Sequence, residues 1–98
     1  MLQNKILEII KSNLNHVKIK YKVKSIGIFG SFANNLQTDH SDIDILIEFE
    51  DGFETFDNYM DLKFFLEDAF HKKVDLVMKD APINPRIKSR ILSEVKYA

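Results

Sequence analysis

The chain contains no cysteine and no tryptophan. Without cysteine it forms no disulfide framework and no thiolate metal site. No stretch approaches the roughly 20 apolar residues that a bilayer crossing needs, and the N-terminus lacks an apolar signal-peptide segment. A cytoplasmic protein with no membrane partner is therefore expected. A broad basic surface is missing as well. The 14 Lys and Arg against 15 Asp and Glu leave a formal net charge of −1, which argues against a reader of duplex nucleic acid. The pattern Gly-x-x-x-x-Gly-Lys-Ser/Thr does not occur, so a P-loop NTPase is excluded. Repeats, low-complexity tracts and linkers are absent too.

What remains is an ordinary globular composition: 98 residues, 45% hydrophobic and 30% charged, with eight Phe and three Tyr to fill a small core. This length suits a single domain over 1–98. One core leaves little chain for a second lobe, so a second substrate is expected to be held partly by another molecule. The charge is unevenly placed. Lys5, Lys11, Lys18, Lys20, Lys22 and Lys24 face Glu8 alone, whereas Asp39 to Asp68 is strongly acidic. The lysine run reads as a solvated helix face.

Leu2, Ile6, Ile9, Ile10, Leu14, Val17 and Tyr21 recur at steps of three and four, the stripe of one amphipathic helix. Ser25-Ile26-Gly27-Ile28-Phe29 reads as a buried strand stopped by Gly30-Ser31, with a helical turn or two over 32–37. Ile43, Ile45, Ile47 and Phe49 alternate with Asp42, Asp44, Leu46 and Glu48, the period of a second strand. Asp51-Gly52 is turn chemistry, and Thr55 caps a predicted helix over 56–71. Lys73 to Met78 is a third strand. Asn84 and Pro85 then open a last helix striped by Ile87, Ile91, Leu92 and Val95. The order αβ(α)βαβα indicates a small α/β or α+β domain.

The chemistry begins with Asp42 and Asp44. Residues i and i+2 of a strand share a face, so both carboxylates project together while the neighbouring isoleucines enter the core. Two such carboxylates repel unless a cation intervenes, and hard oxygen ligands suit Mg²⁺. Asp75 lies between Val74 and Leu76, where an acid is costly unless paired or metal-bound; Lys72 or Lys73 is the simplest pairing partner. If the third strand lies beside the second, Asp75 joins the cluster. Three carboxylates are enough for the two-metal arrangement of in-line nucleotidyl displacement. Gly30-Ser31 supplies the complement: a strand that ends there and turns into a helix offers free N–H groups and a hydroxyl to phosphate. The glycine lets a triphosphate approach the backbone.

Each piece alone is common, but Gly30-Ser31, ten intervening residues and Asp42-Ile43-Asp44 together resemble the motif of the DNA polymerase β-type nucleotidyltransferase superfamily. The stretches 26–33 and 41–47 are most similar to the stand-alone minimal nucleotidyltransferases of prokaryotes, and Val74-Asp75-Leu76-Val77 is similar to their third-carboxylate strand. The resemblance implies an α+β, α/β-like nucleotidyltransferase fold with a small three-stranded mixed sheet flanked by helices. It implies two Mg²⁺ ions, ATP as substrate, and Asp42, Asp44 and Asp75 as catalytic metal ligands. Gly30 and Ser31 would hold the β- and γ-phosphates, and Asp75 would help activate the attacking hydroxyl. It also implies an antitoxin that transfers AMP onto a tyrosine of a HEPN-domain ribonuclease toxin. One departure stands out: the family often has Arg-Gly where this chain has Asn34-Asn35. Asparagine cannot replace a charge-assisted phosphate contact, though Arg86, Lys88 or Arg90 offers one elsewhere.

That departure favours the main alternative, a binding module that silences its toxin by contact alone. A small-molecule nucleotidyltransferase is less favoured, because the sugar-modifying relatives need an added domain. On the predicted helix 56–70, Tyr59, Leu62, Phe65, Leu66, Ala69 and Phe70 make the core face. Phe56, Met60 and Phe64 make a second stripe: a contact for a partner or another copy, a second buried side, or an ordinary, slightly apolar surface. His16, His40 and His71 are scattered, and Ser41 is expected to close a turn.

Overall fold

The computed structural model describes residues 3–98. Leu2 of the predicted stripe lies outside the described residues. The elements run α1 (Gln3–Ser12), α2 (Leu14–Tyr21), β1 (Val23–Phe29), α3 (Gly30–Ala33), β2 (Ile43–Phe49), α4 (Phe56–Phe70), β3 (Val74–Met78), α5 (Pro85–Glu94) and β4 (Lys96–Tyr97). The sheet order is β3-β2-β1-β4. β1 pairs antiparallel with β2 and β4, whereas β2 and β3 run parallel.

Alternation along the strands divides the sheet into two faces. Ile26 and Ile28 pair with Ile47 and Ile45, and with Ile43, Val74 and Leu76 they join Ile6, Ile10, Val17, Leu62, Leu66 and Phe70 of the long helices in one core. Ile43, Ile45 and Ile47 are each 0% exposed, and burying such a side chain stabilises by about 1.5–3 kcal/mol. The opposite face carries Asp44, Leu46, Glu48 and Asp75, and the C-terminal segment lies over part of it. Gly27 makes that approach possible: a Cβ there would sit 2.8 Å from the Lys96 carbonyl and from Val95 Cγ2.

The sheet has four strands where three were expected. Val95, predicted as part of the last helical stripe, is extended, and Lys96-Tyr97 pairs with Ile28 and Gly27. Two residues carry no detectable period, so only the edge of β1 recruits them. The first helix is also broken. Ser12 Oγ and Asn13 Nδ2 both donate to the Ile9 carbonyl, at 2.9 and 2.8 Å, and such side-chain bonds compete with the helical ladder. α3 is one turn over Gly30–Ala33, earlier than the predicted 32–37. In α5 only Ile91 of the predicted stripe is buried; Ile87 and Leu92 are 54% and 40% exposed.

The end signals hold. Thr55 accepts from the Asn58 N–H, and Asn84 accepts from the Arg86 N–H with Pro85 at the first helical position. Ser41 Oγ accepts from the Thr38 N–H at 2.9 Å, closing the turn before β2. Lys5, Lys11, Lys18, Lys20 and Lys24 are exposed, whereas Lys22 is half-buried at the left-handed end of α2. Among the described residues no helix is long and apolar enough to cross a membrane.

Candidate active site

β1 ends where β2 begins because the two strands are antiparallel, and β3 begins there because it is parallel to β2. Three chain segments carrying polar motifs therefore meet at one end of the sheet. Phe29 pairs with Asp44, and Asp44 pairs in register with Asp75. In a parallel pair, residues in register present their side chains to the same face. Asp44 and Asp75 thus stand side by side, with Asp42 exposed just ahead of β2.

Gly30 has φ +71° and lies directly against Asp44. A Cβ at position 30 would overlap the Asp44 carboxylate oxygen and lie 3.0 Å from its Cγ. Glycine is needed here for both its conformation and its missing side chain. Ser31, half-buried, follows as the second residue of α3, whose far end is tied down by Gln3 Nε2 donating to the carbonyls of Phe32 and Ala33.

Crowding shows in the titration of Asp44. Burial, then the charge of Asp75, then that of Asp42, push its carboxyl up to about 6, and a hydrogen bond with Asp75 adds to this. Each cause disfavours the ionised form. Among the described residues no three His, Cys, Asp or Glu side chains close into a ready metal cage. The cluster is one half-buried carboxyl with an exposed carboxylate on either side.

Several residues near the site were not legible as such in the sequence. Lys72 does not pair with Asp75. Its ammonium donates to the carbonyls of Asp39 and Ser41, at 3.1 and 3.0 Å, and so holds the loop that delivers Asp42. Nothing in the local pattern marks it, because both acceptors are backbone atoms over thirty positions away. Tyr59 on α4 donates to the Leu76 carbonyl, and burial and then the Asp75 charge push its phenol above the usual range. α5 faces Gly30-Ser31 across a cleft, bringing Arg90 near; Arg86 and Lys88 are not among the cleft's lining residues. His40 is exposed in the loop, and His16 stacks with Phe65 at 5.0 Å, far in sequence from the motif.

The exposed second stripe is present on α4: Phe56 and Phe64 are 75% and 58% exposed, and Met60 is half-buried between them. The alternative of a helix buried on two sides is thereby ruled out for Phe56 and Phe64 within this chain.

A mixed sheet with Gly-Ser closing one strand and paired carboxylates opening two others defines a nucleotidyl-transferring class of domain. Comparison agrees: the nucleotidyltransferase domain family matches residues 4–98, and the chain belongs to that family. It is an adenylyltransferase-like enzyme in its relationships. It is 47% identical over 96 residues to a protein adenylyltransferase of Methanocaldococcus jannaschii, covering 96% of this chain and 95% of that protein. It is 32% identical over 89 residues to the protein adenylyltransferase MntA of Thermococcus cleftensis, covering 91% and 88%. A solved minimal nucleotidyltransferase superposes with a TM-score of 0.82 at 26% identity, over 98% of this chain and 95% of that one. A toxin–antitoxin structure with AMP-PNP gives 0.68 at 25% identity, over 99% and 72%. The complex of a tri-AMPylated Shewanella oneidensis HEPN toxin with its MNT antitoxin shares the fold, with a TM-score of 0.58 at 23% identity over 97% and 66%.

Proposed function

We propose that this chain, as a single domain over 1–98, is a Mg²⁺-dependent transferase that moves AMP from ATP to a tyrosine hydroxyl of a HEPN-type toxin and thereby neutralises it. The observation that carries this reading is the register pairing of Asp44 with Asp75 beside Gly30. The family relationship and the AMP-PNP-bound toxin–antitoxin neighbour support it.

The donor set fits Mg²⁺. It is all hard oxygen, and burial together with the Asp75 and Asp42 charges makes an ionised Asp44 costly without a cation beside it. Asp42, Asp44 and Asp75 would hold the ions, and phosphate oxygens and waters would complete the coordination. When bound, Mg²⁺ neutralises the charge that develops on the transferring phosphoryl group. Gly30 and Ser31 bind the β- and γ-phosphates through backbone N–H groups and the Ser31 hydroxyl. The acceptor oxygen forms a bond to the α-phosphorus as the bond to the β-phosphate oxygen breaks and pyrophosphate leaves. Asp75, exposed at the rim, would receive the hydroxyl proton. Positioning supplies much of the acceleration.

Metal and ATP should bind cooperatively, because each lowers the cost of bringing the other's charge to the carboxylates. Calorimetric titration of ATP is expected to show tighter binding with Mg²⁺ than without, by roughly ten- to a hundredfold. Equal affinities would overturn the metal assignment. Labelled ATP, Mg²⁺ and a HEPN-type toxin test the transfer itself: label on the toxin supports the enzyme, and toxin silenced without label supports contact alone.

The acceptor must come from outside, and Phe56, Met60 and Phe64 offer an apolar strip on α4 for helix-against-helix docking or self-association. Phe64→Asp or Met60→Asp is expected to weaken association while sparing ATP binding. Truncating or charging a central interface residue costs about 2 kcal/mol or more. Phe64→Asp is the cleaner variant because its side chain is the more exposed of the two. Sedimentation and pull-down of the folded variants check this; unchanged association would make the strip plain surface.

A further inference from the structure

Across from the Gly30-Ser31 turn, α5 packs against α3 without filling the space between them. A cleft of about 500 Å³ remains there, with Gly30, Ser31 and Asn34 on one wall and Ile87, Arg90 and Glu94 on the other. The α5 residues are spaced at three and four, so they share the helix face that looks into the cleft. Ile87 stays 54% exposed on that face, as expected for a wall that stands off its neighbour.

Among the described residues that line the cleft, Arg90 carries its one positive charge. Its Nε donates to Glu94 Oε1 at 3.1 Å, with side-chain exposures of 79% and 22%. An i,i+4 pair this open to water is weak and easily exchanged. The guanidinium also keeps its two amino groups, in the fork that matches phosphate oxygens. A triphosphate lying on Gly30-Ser31 adds several negative charges next to three carboxylates, and the cleft presents no other cationic side chain to meet them.

We propose that Arg90 is a triphosphate-binding residue: it exchanges Glu94 for the β- and γ-phosphates of the nucleotide, reaching them from α5. This rests on the nucleotide reading above. Arg90 takes a contact that Asn34, on the facing wall, cannot make, and Glu94 is the partner it gives up.

Calorimetry with ATP, inorganic tripolyphosphate and AMP, each with Mg²⁺, tests it on the wild type, Arg90→Met, Glu94→Gln and Asn34→Arg/Arg90→Met. Arg90→Met should weaken ATP and tripolyphosphate alike, by roughly tenfold or more, as loss of a charge-assisted contact does. AMP binding should stay unchanged. Asn34→Arg should restore much of the loss from the opposite wall, and Glu94→Gln should tighten triphosphate binding. Both Arg90 and Asn34 are exposed, and melting curves confirm the fold of each variant. If Arg90→Met binds ATP and tripolyphosphate as the wild type does, or loses AMP in equal proportion, the proposal is overturned. If the wild type itself binds no triphosphate with Mg²⁺, the nucleotide reading fails instead.

Discussion

Asp44→Asn is expected to reduce nucleotidyl transfer by roughly a thousandfold or more, since losing one group that stabilises developing charge already costs about 10²–10³. The metal-free protein should remain folded and become more stable at neutral pH. In the wild type, burial and then Asp75 and Asp42 push the Asp44 carboxyl from its ordinary 3.8 to about 6. An acid that holds its proton to higher pH when folded leaves stability undiminished below about pH 4. Stability then falls as pH rises through the window up to about 6 and stays reduced above it. In a dry site the cost at neutral pH would be about 3 kcal/mol, but Asp44 is partly open to water, and screening reduces the expected penalty to about 1–2 kcal/mol.

The variant should therefore lose the downward slope of stability between pH 4 and 6. Mg²⁺ should restore neutral-pH stability to the wild type but add little to the variant. Thermal melts across that range, with and without Mg²⁺, check the first half, and a transfer assay checks the second. If the metal-free variant melts well below the wild type, Asp44 serves the fold and its assignment to the site is wrong.

Gly30→Ala should damage both properties at once. Its φ of +71° is unfavourable for an L-residue, at a cost of about 1–2 kcal/mol. The new methyl group would also strike the Asp44 carboxylate, which must move to accept it. Loss of roughly 2–4 kcal/mol of stability is expected, together with loss of transfer. A double-mutant cycle separates the two causes. In an Asp44→Ala background the remaining Cβ lies 3.3 Å from the added methyl, a tight contact that a shift of a few tenths of an ångström relieves, so Gly30→Ala should then cost little beyond the backbone penalty. The difference between the two backgrounds is the steric coupling between the turn and the carboxylate. Equal costs in both would mean that Gly30 matters for its conformation alone.

Much of this site is legible in the order of residues, for a local reason. Asp42 and Asp44 interrupt a row of isoleucines at strand period, and Gly30-Ser31 ends an apolar run, so side-chain direction and turn position follow from neighbouring residues. Asn84-Pro85 and Thr55 announce helix starts in the same way. The second stripe on α4 is legible because a small sheet buries one face of a helix, and Phe56 and Phe64 fall off it.

Other features depend on distant partners. The break at Asn13 turns on which carbonyl two small polar side chains reach. β4 exists because Gly27 leaves room beside β1, and Lys72 acts on backbone carbonyls, which have no sequence letter of their own.

The sequence alone determined the residue types and the strand faces: carboxylates opposite an isoleucine core, a glycine–serine turn and capped helices. All of these follow from periods of two and 3.6 and from the chemistry of single residues. Only the tertiary structure decided that Asp75 stands in register with Asp44, that Gly30 touches the same carboxylate, and that Arg90, rather than Arg86 or Lys88, looks across the cleft at Ser31. Register and facing are set by how separate segments pack against one another, and sliding β3 by one residue would turn Asp75 to the other face without changing a letter.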